Sequence, residues 1–97
     1  MQKKEMEEIV TYIDSRNITI ADGKRADIGN TSTKYAISIF NTIGFDSITV
    51  SPYMGADSIT PFIQDKTKGA FVLCLTSNNS SKDFQFMTED NLSLYQL

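Results

Sequence analysis

The sequence has no His, no Trp, a single Cys and two Pro residues, and no stretch approaches the ~18 consecutive apolar residues of a membrane span. Each gap closes off a class of function. Without His, and with Cys74 alone, zinc sites of the Cys/His kind and Ser-His-Asp or Cys-His nucleophilic systems are excluded within this chain. A lone Cys forms no internal disulfide, which fits a reducing cytoplasm. The opening Met1-Gln2-Lys3-Lys4-Glu5 runs into charge and not into an apolar h-region, so no secretory signal is expected. A net charge of -3 and a pI near 4.7 argue against a nucleic-acid partner, which calls for a basic patch. No membrane partner is expected either. Carboxylates, lysines, hydroxyls, amides and backbone remain to carry any chemistry.

The 97 residues, 40% of them hydrophobic, allow one small domain with a core. Met6, Ile9, Val10 and Ile13 fall on one helical face, predicting a helix over Glu5–Asn17 with Glu7, Glu8 and Asp14 on its solvated side and Asn17 as its stop. Ile18-Thr19-Ile20-Ala21 reads as a β-branched strand. Asn30 or Thr31 is expected to cap a second helix with the stripe Ala36, Ile39, Phe40, Ile43, ended by Gly44. Ser47-Ile48-Thr49-Val50 is a second strand, followed by a short helix around Asp57–Asp65 in which Pro61 is tolerable only in the first turn. Gly69–Leu75 is apolar throughout and predicts a fully buried parallel strand, with Cys74 in the core. Thr76–Lys82 is a polar loop, and Asp83–Leu97 shows weak periodicity. The α-β-α-β-α-β order implies an α/β fold of parallel strands with crossover helices.

In such a series ligands lie outside the carboxyl ends of the strands. Three polar ends are expected to share one rim: Asp22, Lys24 and Asp27; Ser51, Pro52 and Tyr53; Thr76, Ser77 and Asn78. If the chain is still extended at Asp22-x-Lys24, both side chains face one way, and the carboxylate holds the ammonium charged and oriented. Lys24 then serves as a general acid or an anion clamp; the plainer alternative is a surface ion pair. Arg25, beside Asp22 and Asp27, is expected in an ion pair. Tyr53 either lines the site or packs under its loop.

Three segments carry a family resemblance. Asp22-Gly23-Lys24-Arg25-Ala26-Asp27-Ile28-Gly29-Asn30-Thr31 resembles the D-x-K-x-x-D-I-x-x-T signature of orotidine 5'-phosphate decarboxylase, in its bacterial-type branch. Thr49-Val50-Ser51-Pro52-Tyr53-Met54-Gly55-Ala56-Asp57-Ser58 resembles the family's T-V-x-P-Y-x-G-x-D-S stretch. Phe71-Val72-Leu73-Cys74-Leu75-Thr76-Ser77-Asn78, then Asp83-Phe84-Gln85, resemble its F-V-L-C-x-T-S-N and D-x-Q stretches. Two positions depart from the pattern: Asn79-Ser80 stands where Pro-Gly is usual, and Gly23 where a residue with a side chain is usual.

The resemblance implies a partial TIM (β/α)8 barrel, its third to fifth strands, with residues 1–97 a single internal fragment. It implies Lys24 as proton donor to C6 of the pyrimidine after CO2 leaves, and Asp22 beside the substrate carboxylate. Asp27, with Ile28 and Thr31, would reach across a homodimer interface to the ribose of the neighbouring site. Ser77 would contact the pyrimidine, with Asn78 beside it in the substrate-binding loop. The substrate would be orotidine 5'-phosphate, with no metal and no organic cofactor. A whole barrel takes roughly 250 residues, so this chain alone is expected to be inactive and poorly folded. Two other readings remain: a sugar-phosphate decarboxylase of the same superfamily, and a non-catalytic α/β fragment that folds only beside a partner.

Overall fold

The computed structural model describes residues 2–13 and 16–97. In chain order it contains α1 (Lys3–Tyr12), β1 (Ile20–Arg25), α2 (Gly29–Ala36), β2 (Ser47–Val50), α3 (Ala56–Ile63) and β3 (Gly69–Val72). A short hairpin of β4 (Thr88–Glu89) and β5 (Leu92–Ser93) follows. β1, β2 and β3 form one parallel sheet in that order. The expected α/β alternation, three parallel strands with helices between them, is the architecture observed.

β2 is the central strand, and its alternation organises the rest. Ile48 and Val50 are fully buried on one face, with Ala21 of β1, Phe62 of α3, and Ala36, Ile39, Phe40 and Ile43. Burial of Val, Ile or Phe contributes about 1.5–3 kcal/mol per side chain. Phe40 and Phe62 meet edge to face at 6.3 Å, the arrangement the ring quadrupoles favour. The predicted stripe of the second helix is therefore the core stripe. Its C-terminal half, Ile37–Ile43, winds as a π-helix. Gly44 ends it at φ 100, as predicted, its N–H donating to the Ile39 carbonyl.

Several local expectations are corrected. α1 stops at Tyr12 and not at Asn17, with Ile13 already extended; Thr11, Tyr12 and Ile13 are β-branched or aromatic and favour helix weakly. Asp14 lies outside the described residues. Asn30 and Thr31 do not cap α2: they lie in its first turn, and Ile28 is the flanking residue. There Asp27 accepts the Ile28 N–H through Oδ1 (2.8 Å), while the Ser32 hydroxyl donates to the Asp27 carbonyl (2.8 Å). Pro61 sits late in α3, not in its first turn. It removes only the bond to the Asp57 carbonyl, and Gly29 packs there, a Cβ on it falling 3.4 Å from that oxygen.

β3 is shorter and far less covered than its sequence suggests. It ends at Val72, and Phe71 is 53% exposed. Leu73 donates the last bond, to the Val50 carbonyl; beyond Val50, Pro52 has no N–H and turns the chain away. Cys74 is accordingly exposed and outside the strand, not in the core, its thiol donating to the Tyr95 carbonyl. The polar segment after it is ordered by side chains. Gln85 accepts the Thr76 N–H and donates to the Thr76 hydroxyl, both at 2.8 Å. A 3-10 turn spans Asn79–Asp83, and Asp90 and Asn91, both at positive φ, make the tight turn between β4 and β5.

The amino ends of β1 and β2 are locked by one carboxylate. Asp46 Oδ2 accepts the N–H of Thr19 (2.8 Å) and its hydroxyl (3.0 Å), and the Asp46 N–H donates back to that hydroxyl (3.0 Å). The Thr19 N–H foremost, then its hydroxyl, holds the Asp46 carboxyl below its ordinary value. A depressed folded value means stability that is present at neutral pH and lost as pH falls through that value. With this segment carried in a complete (β/α)8 barrel, Asp46→Ala is expected to speed native-state amide exchange at Thr19 roughly tenfold at neutral pH, with the difference from the parent closing in acid. Equal exchange at neutral pH would remove Asp46 as the lock.

Candidate functional site

The predicted rim pair is not past the end of a strand but inside it. β1 continues through Asp22, Gly23, Lys24 and Arg25. Its pairing with β2 slips between Ala21 and Arg25, so three residues of β1, Asp22, Gly23 and Lys24, lie opposite the single Thr49 of β2. Within this bulge Lys24 adopts φ 44, a left-handed conformation that side-chain-bearing residues seldom hold without compensating contacts. Its N–H leaves the ladder and donates to the Thr49 hydroxyl at 3.0 Å.

The side chains close the arrangement. Lys24 Nζ donates to Asp22 Oδ1 at 2.6 Å, and Thr49 Oγ1 donates to the same oxygen at 2.9 Å. The Lys24 hydrogen bond first, then that of Thr49, then the Lys24 charge, hold the Asp22 carboxyl below its ordinary value. Asp22 and Lys24 stand 66% and 56% exposed on the sheet face opposite the helices. Ile20, Thr49 and Phe71 share that face by alternation. The pair therefore holds an ammonium at a fixed place above the sheet, three donors on a charged group aimed by a carboxylate.

The other predicted residues occupy separate positions. Asp27, Ile28 and Thr31 lie on the β1–α2 connection and first turn of α2. The Asp27 carboxylate serves the Ile28 N–H, and no ion pair joins it to Lys24 among the described residues. Ser77 is exposed beyond β3, and Asn78 Oδ1 accepts the Thr76 hydroxyl at 2.6 Å. Neither hydrogen-bonds Asp22 or Lys24 among the described residues. Asn79 and Ser80 open the 3-10 turn.

Arg25 is corrected: its guanidinium lies 4.8 Å over the Tyr35 ring in a cation–π contact, and among the described residues it makes no ion pair. Gly23 and Arg25 share the helix-facing side, since a Cβ on Gly23 would meet both Arg25 and Ile48; Asp22 is on the other. Tyr53 is 89% exposed, so it does not pack under its loop. It borders an apolar groove of about 1050 Å3 with Ser51, Pro52, Thr76 and Phe84, which joins parts of the second and third predicted strand ends but is not lined by Asp22, Lys24, Asp27, Ile28, Thr31, Ser77 or Asn78.

Sequence reasoning missed Thr49 as part of the site. Its signal was its alternation with the buried Ile48 and Val50, which turns a hydroxyl to the face of Asp22. Gln85 was missed as the clamp on Thr76.

Polar side chains near the carboxyl ends of parallel strands in a β-α-β-α-β run stand where (β/α)8 barrels and open α/β sheets place their sites. The sequence model of the "Orotidine 5'-phosphate decarboxylase / HUMPS family" matches residues 1–96, and the chain belongs to that family. It is 51% identical over 87 residues to the orotidine 5'-phosphate decarboxylase of Dehalococcoides mccartyi, covering 90% of this chain and 32% of that protein. Over 78 residues it is 53% identical to that of Christiangramia forsetii, covering 80% and 29%. The Leishmania donovani OMP decarboxylase structure superposes with a TM-score of 0.92 at 38% identity, over 96% of this chain and 37% of that one. The chain thus spans about a third of the length of the curated relatives it matches, as part of a TIM barrel.

Lys24→Met is expected to raise the Asp22 carboxyl toward its ordinary value, because the largest contribution to its depression is lost. A carboxyl-carbon NMR titration, with this segment carried in a complete barrel, reads this directly. An unmoved Asp22 midpoint would contradict the pairing.

Proposed function

We propose that this chain supplies the acid-base strand of an orotidine 5'-phosphate decarboxylase, converting orotidine 5'-phosphate to UMP and CO2. The observation that carries the reading is the Lys24 Nζ–Asp22 Oδ1 contact of 2.6 Å on the uncovered sheet face, in a chain of this family. Loss of CO2 breaks the bond between C6 and the carboxyl carbon and leaves the electron pair on C6. Lys24 Nζ donates the proton that quenches it. Asp22 orients Lys24 and sits beside the departing carboxylate. Charge held in place before reaction lowers the barrier because no solvent has to reorganise. Asp27, with Ile28 and Thr31, serves the ribose of a neighbouring subunit's site in a homodimer. Ser77 contacts the pyrimidine and Asn78 orders its loop. The chemistry needs neither metal nor organic cofactor, and a reducing cytoplasm suits the exposed thiol of Cys74.

Relatives at about half identity carry the orotidine decarboxylase name, which favours this substrate over a sugar phosphate. The third reading applies to the 97 residues by themselves. Phe71, Val72 and Leu75 stand about half exposed, and β1 and β3 each have one open edge. Expressed alone, the chain is expected to aggregate and to show no turnover; a cooperative urea transition of a monomer, or decarboxylation above background, would overturn this.

The catalytic assignment is tested in a chimera in which this chain replaces the matching segment of the D. mccartyi enzyme. Lys24→Ala is expected to cut turnover to about a hundredth or less while UMP still binds. Retention of more than about a tenth, a loss under ~1.4 kcal/mol, would contradict proton delivery by Lys24.

A further inference from the structure

Lys24 carries two constraints. Its side chain is fixed by Asp22, and its backbone stands at φ 44 inside a strand. Among the described residues the other non-glycine positions at positive φ, Asp90 and Asn91, sit in the hairpin turn, where that conformation is ordinary. In a strand it turns the N–H out of the ladder, toward an acceptor other than the neighbouring backbone. That acceptor is the Thr49 hydroxyl. A hydroxyl has one proton, and Thr49 commits it to Asp22 Oδ1. One oxygen thus accepts from the Lys24 backbone and donates to the carboxylate that grips the Lys24 ammonium. Lys24 N–H, Thr49 Oγ1, Asp22 Oδ1 and Lys24 Nζ form a closed loop of contacts at 3.0, 2.9 and 2.6 Å.

From this loop we infer that Thr49 is a positioning residue for the acid-base pair, setting the direction of Lys24 through both its backbone and its carboxylate partner. The inference rests on the decarboxylase reading above. Thr49 touches no reacting atom; it restricts where Nζ points. The competing explanation is that Thr49 is simply a β-branched residue suited to a central strand. The two make opposite demands. Strand packing needs the branched shape, which Val keeps and Ser lacks. Positioning needs the hydroxyl, which Ser keeps and Val lacks.

The test uses the same chimera, with kcat, KM, UMP affinity and melting temperature measured for Thr49→Val, Thr49→Ser, Thr49→Ala and Lys24→Ala. Thr49→Val is expected to lower kcat by about 10- to 100-fold with KM and UMP affinity within about threefold, since misdirected Lys24 harms the transition state more than ground-state binding. Thr49→Ser is expected to keep at least about a third of kcat. The acid limb of the kcat profile shifts to higher pH in Thr49→Val, because Asp22 loses a hydrogen bond to its charged form. Thr49→Val at the parental kcat, or Thr49→Ser as impaired as Thr49→Val, overturns the inference. If Thr49→Val melts below the assay temperature, the two small variants decide: Ser active and Ala impaired supports positioning, and equal activity overturns it. An active Lys24→Ala would sink the catalytic reading itself, whereas an inactive Lys24→Ala beside a fully active Thr49→Val sinks the role of Thr49 alone.

Discussion

Everything in this fold depends on the double pairing of β2. It is the strand with a parallel neighbour on each side, and its residues alternate between two tasks. Ile48 and Val50 face the helices and vanish from solvent, gathering Ala21, Phe40 and Phe62 into the core. Thr49, between them, faces the other way and takes hold of Asp22 and Lys24. A one-residue slip in the register of β2 would exchange these faces. The Asp46–Thr19 contacts at one end of the strand pair and the Ser51 N–H bond to the Arg25 carbonyl at the other hold that register. Core and site are therefore specified by the same three residues.

What was legible in the sequence follows from periodicity and from short-range chemistry. The stripe Ala36, Ile39, Phe40, Ile43 with Gly44 behind it gave the second helix, its buried face and its end, because the pattern and the stop agree. The apolar runs and their helical separators gave three parallel strands. The i, i+2 spacing of Asp22 and Lys24 pointed to the ion pair that is observed, although Lys24 reaches Asp22 from a left-handed bulge and not from the extended backbone the spacing assumed.

What was not legible depended on who the neighbours are. Nothing local says that β1 carries on through Gly23 and Lys24. It does so because the Thr49 hydroxyl replaces the lost ladder bond, and that is a fact about the adjacent strand. Gly69–Leu75 reads as buried because apolar runs usually are, yet burial needs cover, and here Phe71 stands about half exposed on the face opposite the helices and Val72 about half exposed even on the helix side. Arg25 illustrates the same point at short range. Its carboxylate neighbours in sequence lay off its face, and Tyr35, ten positions on, was the partner. Pro61 was misplaced by a rule for long helices; in a helix as short as α3, one missing bond is tolerated where another helix packs over the freed carbonyl.

The uncovered face has an electrostatic consequence. In water an ion pair at hydrogen-bond distance is worth little, because solvent screens it and the side chains are free to leave. Asp22 and Lys24, more than half exposed, are in that regime. What keeps them together here is covalent neighbourhood and the Thr49 hydroxyl, not the strength of the charge attraction. Covering the same face with apolar barrel interior would lower the local dielectric and multiply the attraction several-fold, without moving an atom of the loop. Ile20 and Phe71 flank the pair on that face, both about half exposed, and supply apolar surface for such a cover to close on. The geometry is thus built by β1 and β2 alone, while the strength of the charge attraction within it is set by whatever closes over that face.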